Sequence, residues 1–181
     1  MAKDSKAKTY TTRVSGFWNT THEIRDEEGV IGRLTIRRNG LGLAVAGQYV
    51  PEKGETLVLR RDPGILRSQF SLWTDRREWL GSALRWSFVG REINISTGSK
   101  PLRLIPLPGF RRGWRLLAPK SGEMVRISAK PFSRGSQITV HRRVDFEQVL
   151  FAYFLAAQLL AESWWPGPAE QRSKSPVPAT Q

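Results

Sequence analysis

The stretch from Asp145 to Trp165, DFEQVLFAYFLAAQLLAESWW, limits the fold more than any other part of the chain. Asp145 is a candidate N-cap, and Gln148 stands three residues later, where a capping-box partner reaches back to the cap's amide. Pro166-Gly167-Pro168 forbids continuation, so the pattern predicts a helix over 146–165. Phe146, Val149, Leu150, Tyr153, Phe154, Ala157 and Leu160 follow the spacing of one helical face, yet Phe151, Leu155 and Leu159 cover the other. A helix that is apolar all round must be enclosed by protein or lie in lipid. A bilayer core needs about 20 apolar residues, and this run is shorter, with Glu147, Gln148 and Glu162 at its ends. A buried helix is therefore the leading expectation, with no transmembrane span, and a short tail anchor is the alternative.

The rest of the chain supplies something to enclose it. Pairs such as Leu34 and Ile36, Leu57 and Leu59, Ile93 and Ile95, Leu102 and Leu104, and Ile138 and Val140 flank single residues, as in strands with one buried face. Turn signals separate them, among them Glu28-Gly29, Asn39-Gly40, Lys53-Gly54, Asp62-Pro63-Gly64 and Ser121-Gly122. The expected fold is mainly β, an antiparallel meander closed as a barrel of about ten to twelve strands around the buried C-terminal helix. Closure covers the helix and removes the sheet's edges together. The expected organisation is a flexible segment over 1–15, a single barrel domain over 16–165 and a disordered tail rich in Pro and Ser over 166–181.

One hairpin is repeated. In IRDEEGVIGRL the residues Ile24, Asp26, Gly32 and Leu34 keep the offsets of Trp73, Asp75, Gly81 and Ala83 in WTDRREWLGSA. A third copy around Lys120-Ser121-Gly122-Glu123 keeps the turn and loses the Asp and second Gly. The pattern reads as a reused β-hairpin, with Gly where a strand bends or is closely approached.

Hairpins of the form IRDEEG then VIGRL, a basic meander and a final apolar helix opening on Asp together resemble the tubby C-terminal-like superfamily, which includes LURP-one-related proteins and phospholipid scramblases. The resemblance spans most of residues 20–165. It implies a barrel of roughly twelve strands around a central hydrophobic helix. It also implies that basic surface residues bind phosphoinositide or other anionic head groups. No family binding motif matches position by position, so no ligand residue is carried across. The scramblase cysteine cluster is absent, and Asp145 and Glu147 are the only carboxylates near the helix start, which argues against calcium-dependent scrambling.

The charge agrees with an anionic partner. The net charge is +13, and residues 60–143 hold 18 Lys+Arg against 5 Asp+Glu, a balance equal to that of the whole chain. Such a field favours nucleic acid or acidic lipid. The candidate head-group residues are Arg60, Arg61, Arg67, Arg76, Arg77, Arg111, Arg112 and Arg115, because paired guanidiniums at turns can fork around phosphate oxygens. In a meander alternate turns point to opposite rims, so these are not all expected to converge. Trp73, Trp79, Trp86 and Trp114 interleave with arginines, the combination that single-stranded nucleic-acid binders use, although packing is the commoner use of such rings.

Catalysis finds little support. His22 and His141 are the only histidines, neither lies in a motif joining nucleophile, base and acid, and no ligand spacing marks a metal or cofactor site. Gly40-Leu41-Gly42-Leu43-Ala44-Val45 lacks the third glycine of a dinucleotide fingerprint. The chain has no cysteine, which excludes thiolate chemistry, and its start has no apolar signal region. The expectation is a non-enzymatic cytoplasmic barrel, peripheral at a membrane, that binds anionic phospholipid or phosphoinositide. A nucleic-acid-binding barrel and a protein-interaction scaffold are the alternatives.

Overall fold

Inward apolar residues alternating with outward polar ones set each strand, and in the computed structural model these strands form one continuous sheet. The structure describes residues 7–62, 68–85, 92–98, 100–108, 112–131 and 133–162. The first half of the wall is β1 (Lys8–Ser15), β2 (Thr20–Arg25), β3 (Val30–Arg38), β4 (Ala44–Pro51), β5 (Leu57–Asp62) and β6 (Ser68–Thr74). The second half is β7 (Trp79–Arg85), β8 (Ile93–Ser96), β9 (Pro101–Pro106), β10 (Gly113–Ala118), β11 (Gly122–Ala129) and β12 (Ser136–Val140), followed by the helix α1 (Phe146–Glu162). Each strand pairs antiparallel with its sequence neighbours and β1 pairs with β12, so the sheet closes into a twelve-stranded barrel. The outward positions at mid-strand carry residues such as Arg33, Gln48, Asn94 and Arg103, all exposed. These charged and amide side chains interrupt any continuous apolar band of the kind a membrane-spanning barrel presents.

The expected flexible lead-in over 1–15 is corrected over its second half, while residues 1–6 lie outside the described residues. Lys8–Ser15 is the strand that seals the barrel, with Tyr10 opposite Ile138 and Thr11 opposite Gln137. Its apolar signal is weak because one of its buried inward residues is Thr12, which joins an interior hydrogen-bond network instead of an apolar layer.

Helix α1 runs through the barrel, and every residue from Val149 to Ala156 is buried. Enclosure rather than a tail anchor thus satisfies the all-round apolar surface, and among the described residues no helix is long and apolar enough to cross a membrane. The predicted extension to Trp165 and the tail over 166–181 lie outside the described residues. At the entry end, Phe146 packs against Tyr10 and Tyr49, with ring centroids 5.4 and 5.7 Å away. The start differs in detail from a capping box: Gln148 Nε2 donates to the Asp145 carboxylate at 3.4 Å, and Gln148 N–H donates to the Asp145 carbonyl at 3.1 Å. An amide side chain can donate as well as accept, and here its NH2 donates to the Asp145 carboxylate.

Two features fix the helix rotation. Gly47 of β4 leaves room for Phe154, since a Cβ there would sit 2.8 Å from Phe154 Cε2. Phe154 also meets Phe70 edge-on, at 6.2 Å and 80°. The second feature is polar. Tyr153 donates its hydroxyl hydrogen to Thr12 Oγ1 at 3.0 Å and lies 2.7 Å from His22 Nδ1. Thr20 Oγ1 lies 2.9 Å from His22 Nε2, and Thr12 Oγ1 accepts from Ser136 N–H at 2.8 Å. With Tyr153's hydrogen given to Thr12, neutral His22 carries its proton on Nδ1 and accepts from Thr20 on Nε2. Burial, with Arg38 and Arg134 nearby, lowers the His22 pKa to about 4. Burial raises that of Tyr153 to about 12. This network crosses from wall to helix with its buried polar atoms partnered, as an apolar interior demands.

The repeated hairpins occupy β2–β3 and β6–β7, and a register shift precedes the turn in both, at Ile24/Arg25 and Leu72/Trp73. The third copy, β10–β11, shifts at Leu116/Leu117. The glycines mark close approach: a side chain at Gly32 would overlap the Tyr49 ring, and one at Gly81 would lie 3.0 Å from the Ser96 carbonyl oxygen.

Candidate functional site

Because every strand reverses, alternate turns share an end. The turns over 26–29, 52–56, 75–78, 97–100 and 119–121 lie at the end where α1 enters. The connections after β1, β3, β5, β7, β9 and β11 lie at the end toward which α1 runs, the exit end. Charge divides between them. The entry-end turns carry Asp26, Glu27, Glu28, Glu55, Asp75 and Glu78 among their bases. Toward the exit end the described residues include Arg37, Arg38, Arg60, Arg61, Arg112 and Arg134 against Asp62 and Glu92. The barrel is electrostatically polar along its axis, with the positive pole at the exit end.

The predicted arginines divide accordingly. Arg76 and Arg77 lie in the 75–78 turn at the entry end, where Arg76 Nε stands 3.6 Å from Glu55 Oε1. Arg77 adopts φ +68°, which completes that turn. Arg60 and Arg61 lie near the exit end of β5, and the Arg61 guanidinium lies 5.7 Å from the Phe70 ring centroid. Arg67 and Arg111 are outside the described residues. Arg112 and Arg115 come together, separated from β5 by the strands β6 to β9.

Arg112 and Arg115 line a surface depression of about 430 Å³ with Leu107, Pro108, Arg126 and Ser128. Its geometry follows from the strand register. Arg115 of β10 is directly opposite Arg126 of β11, and like charges so placed repel unless something neutralises them. Arg126 is neutralised: Nε donates to Glu123 Oε1 at 2.7 Å and Nη2 to Oε2 at 3.1 Å. That pairing holds the Glu123 carboxyl below the usual carboxylate range, with help from His141, whose Nε2 is 3.4 Å away, and from Arg115. Arg115 differs, because its Nε is buried and has no hydrogen-bond acceptor among the described residues. Gly113 lets Leu107 and β11 pack close against β10, since a Cβ there would strike Leu107 Cδ1 at 2.6 Å and the Ile127 carbonyl.

This arrangement holds a guanidinium donor in a concave, cationic setting that an anion's oxygens could complete. A second depression of about 280 Å³, lined by Arg13, Arg25 and Arg33 with Glu23, is unlike it. There Glu23 takes Arg25 Nε at 2.7 Å and lies 4.0 Å from Arg33, so an acid already occupies the cationic centre.

Sequence reasoning missed Arg126 and Ser128 and the exit-end cations Arg38 and Arg134. A usable signal existed: in a meander, summing charge over every second turn separates the two ends. Of the two histidines, His22 is in β2, whereas His141 follows β12. The tryptophans near arginines do not make a stacking platform at this site, because Trp114 is buried inside the barrel while Arg115 faces outward. No family model, curated protein or solved structure matches the chain, so the geometry is what bears on its function.

Proposed function

We propose that this barrel binds the phosphate-bearing head group of an anionic phospholipid or phosphoinositide at the Arg112–Arg115–Arg126 depression, and acts as a peripheral protein at a lipid surface. The observation that carries this reading is the buried Arg115 Nε without an acceptor among the described residues, in a cationic depression near the positive pole. A phosphate offers several strong acceptor oxygens and suits planar guanidinium donors. The same field would attract nucleic acid, but the buried position of Trp114 removes the aromatic partner that single-strand binding would use beside Arg115.

The test is flotation with neutral, phosphatidylserine-containing and phosphoinositide-containing liposomes at near-physiological salt, with single-stranded DNA as competitor. Wild type should float with the anionic liposomes despite the DNA, and Arg115→Gln should weaken flotation roughly tenfold, the scale of one charge-assisted hydrogen bond. Displacement by DNA together with direct DNA binding would replace lipid with nucleic acid as the partner. Equal flotation of wild type and Arg115→Gln would remove this depression as the site.

A further inference from the structure

Two neighbouring turns at the exit end hold large apolar side chains away from the protein. Phe17 and Trp18, between β1 and β2, are 88% and 47% exposed, and Leu41, between β3 and β4, is 81% exposed. Among the described residues the other exposed large hydrophobics, Val50 and Trp79, stand singly elsewhere on the wall. Single exposed apolar side chains are ordinary, whereas a group on adjacent tips marks a surface that meets something apolar.

The tips are built to hold this position. Gly16 at φ +82° and Gly42 at φ +77° supply left-handed backbone that L side chains resist. Asn39 Oδ1 accepts from the N–H groups of Leu41 and Leu43, each at 3.0 Å, and so fixes the second turn with Leu41 outermost. Arg38 N–H donates to Asn19 Oδ1 at 3.3 Å and ties the two turns together. A guanidinium stands at the base of each tip: Arg134 Nη1 donates to the Gly16 carbonyl at 2.6 Å, and Arg38 Nη1 to the Gly42 carbonyl at 3.0 Å.

The layering is therefore apolar outermost and cationic one step behind. A bilayer surface offers the complement, with acyl carbon beneath a layer of phosphates, and amphipathic rings such as indole favour that boundary. An acidic or polar protein partner would match the cations but leave Phe17 and Leu41 unpaired. The entry end differs: its turns at 26–29 and 52–56 carry more acid than base, the 75–78 turn balances Asp75 and Glu78 against Arg76 and Arg77, and its exposed apolar residues Val50 and Trp79 lie on strands that are not neighbours.

Resting on the head-group reading above, we infer that Phe17, Trp18 and Leu41 form a wedge that enters the interfacial layer of an anionic bilayer, with Arg38 and Arg134 at the level of the lipid phosphates. Docking then sets the barrel exit end down, and the wedge adds an apolar contribution that salt does not screen. The head-group depression supplies lipid choice, and the wedge supplies retention.

The experiment compares wild type, the triple variant Phe17→Ser/Trp18→Ser/Leu41→Ser and Arg115→Gln on vesicles of phosphatidylcholine with and without phosphatidylserine and phosphoinositide. Binding of soluble inositol hexakisphosphate is measured alongside, with far-UV circular dichroism as the folding control. The triple variant should lose at least roughly tenfold in vesicle partitioning, as expected for withdrawing three side chains from partial burial. It should keep wild-type affinity for the inositol phosphate, and its remaining vesicle binding should vanish at high salt. Wild-type partitioning by the triple variant, with loss in Arg115→Gln, would overturn the wedge and leave the head-group reading standing. Loss in the triple variant with none in Arg115→Gln would keep the wedge and remove the depression. No vesicle binding by wild type would overturn both, and dimerisation lost in the triple variant would then assign the tips to a second copy of the chain.

Discussion

Acid should weaken this protein through His22. The imidazole lies inside the barrel between Tyr153 and Thr20, and its folded pKa is lowered from 6.5 to about 4, chiefly by burial and secondarily by Arg38 and Arg134. In the unfolded chain His22 takes up a proton near its ordinary value, whereas in the folded chain it resists until much lower pH. Stability from neutral His22 is therefore fully present above about pH 6.5 and is lost as the pH falls toward 4. A difference of one pH unit between the folded and unfolded pKa corresponds to about 1.4 kcal/mol, so the whole effect is about 3 kcal/mol, most of it lost by about pH 4.5. That is a substantial part of the roughly 5–15 kcal/mol stability usual for a domain. The carboxylates of Glu92 and Glu123 are held below their ordinary 4.5, so their contributions are intact above that value and are lost only as the pH falls below it, after most of the His22 contribution has gone. The assay is urea unfolding at a series of pH values between about 4.5 and 7, followed by circular dichroism. His22→Gln should be less stable at neutral pH, because a histidine partner of Tyr153 and Thr20 is gone, yet nearly flat across the window. An unchanged pH slope in His22→Gln would refute the assignment to this side chain.

Three further outcomes follow from the packing and the site. Leu155→Asp should unfold the domain, as read by loss of the cooperative thermal transition, because an unpaired buried carboxylate costs several kcal/mol where Leu155 is 0% exposed. Gly47→Ala should destabilise by about 1–2 kcal/mol by driving a methyl into Phe154, and Phe154→Leu in the same chain should relieve part of that. A double-mutant cycle in urea that came out additive, within about 0.5 kcal/mol, would show that Phe154 does not face β4. Glu123→Gln should change stability by less than about 1 kcal/mol, because its ion pair with Arg126 is partly exposed, while strengthening flotation on anionic liposomes by releasing Arg126 beside Arg115.

The sequence by itself determined the architecture. Leu155 and Phe151 on the side of the helix opposite Phe146 and Leu150 left no face for water, so the alternating segments had to surround it, and they do. Periodicity also put Gly32 and Gly81 where another group crowds the backbone. The sequence was weakest where burial is polar. Thr12 and His22 carry no apolar signal, and only their three-dimensional partners on α1 and β12 make them interior.

The site was legible only in part, because register and strand direction decide it. Arg112 and Arg115 were visible as a basic cluster, but Arg126 joins them only because β11 pairs with β10 at that register. Arg76 and Arg77 looked equivalent to Arg60 and Arg61 along the chain, yet the reversal of β6 carries them to the acidic end. Phe17 and Leu41 lie more than twenty residues apart and become one surface through the Arg38–Asn19 hydrogen bond and the shared end of their turns. Local polarity is written residue by residue, so it fixes which elements form and which faces they bury. Convergence depends on closure of the barrel, which brings distant turns to one rim, and no stretch of the sequence carries that information locally.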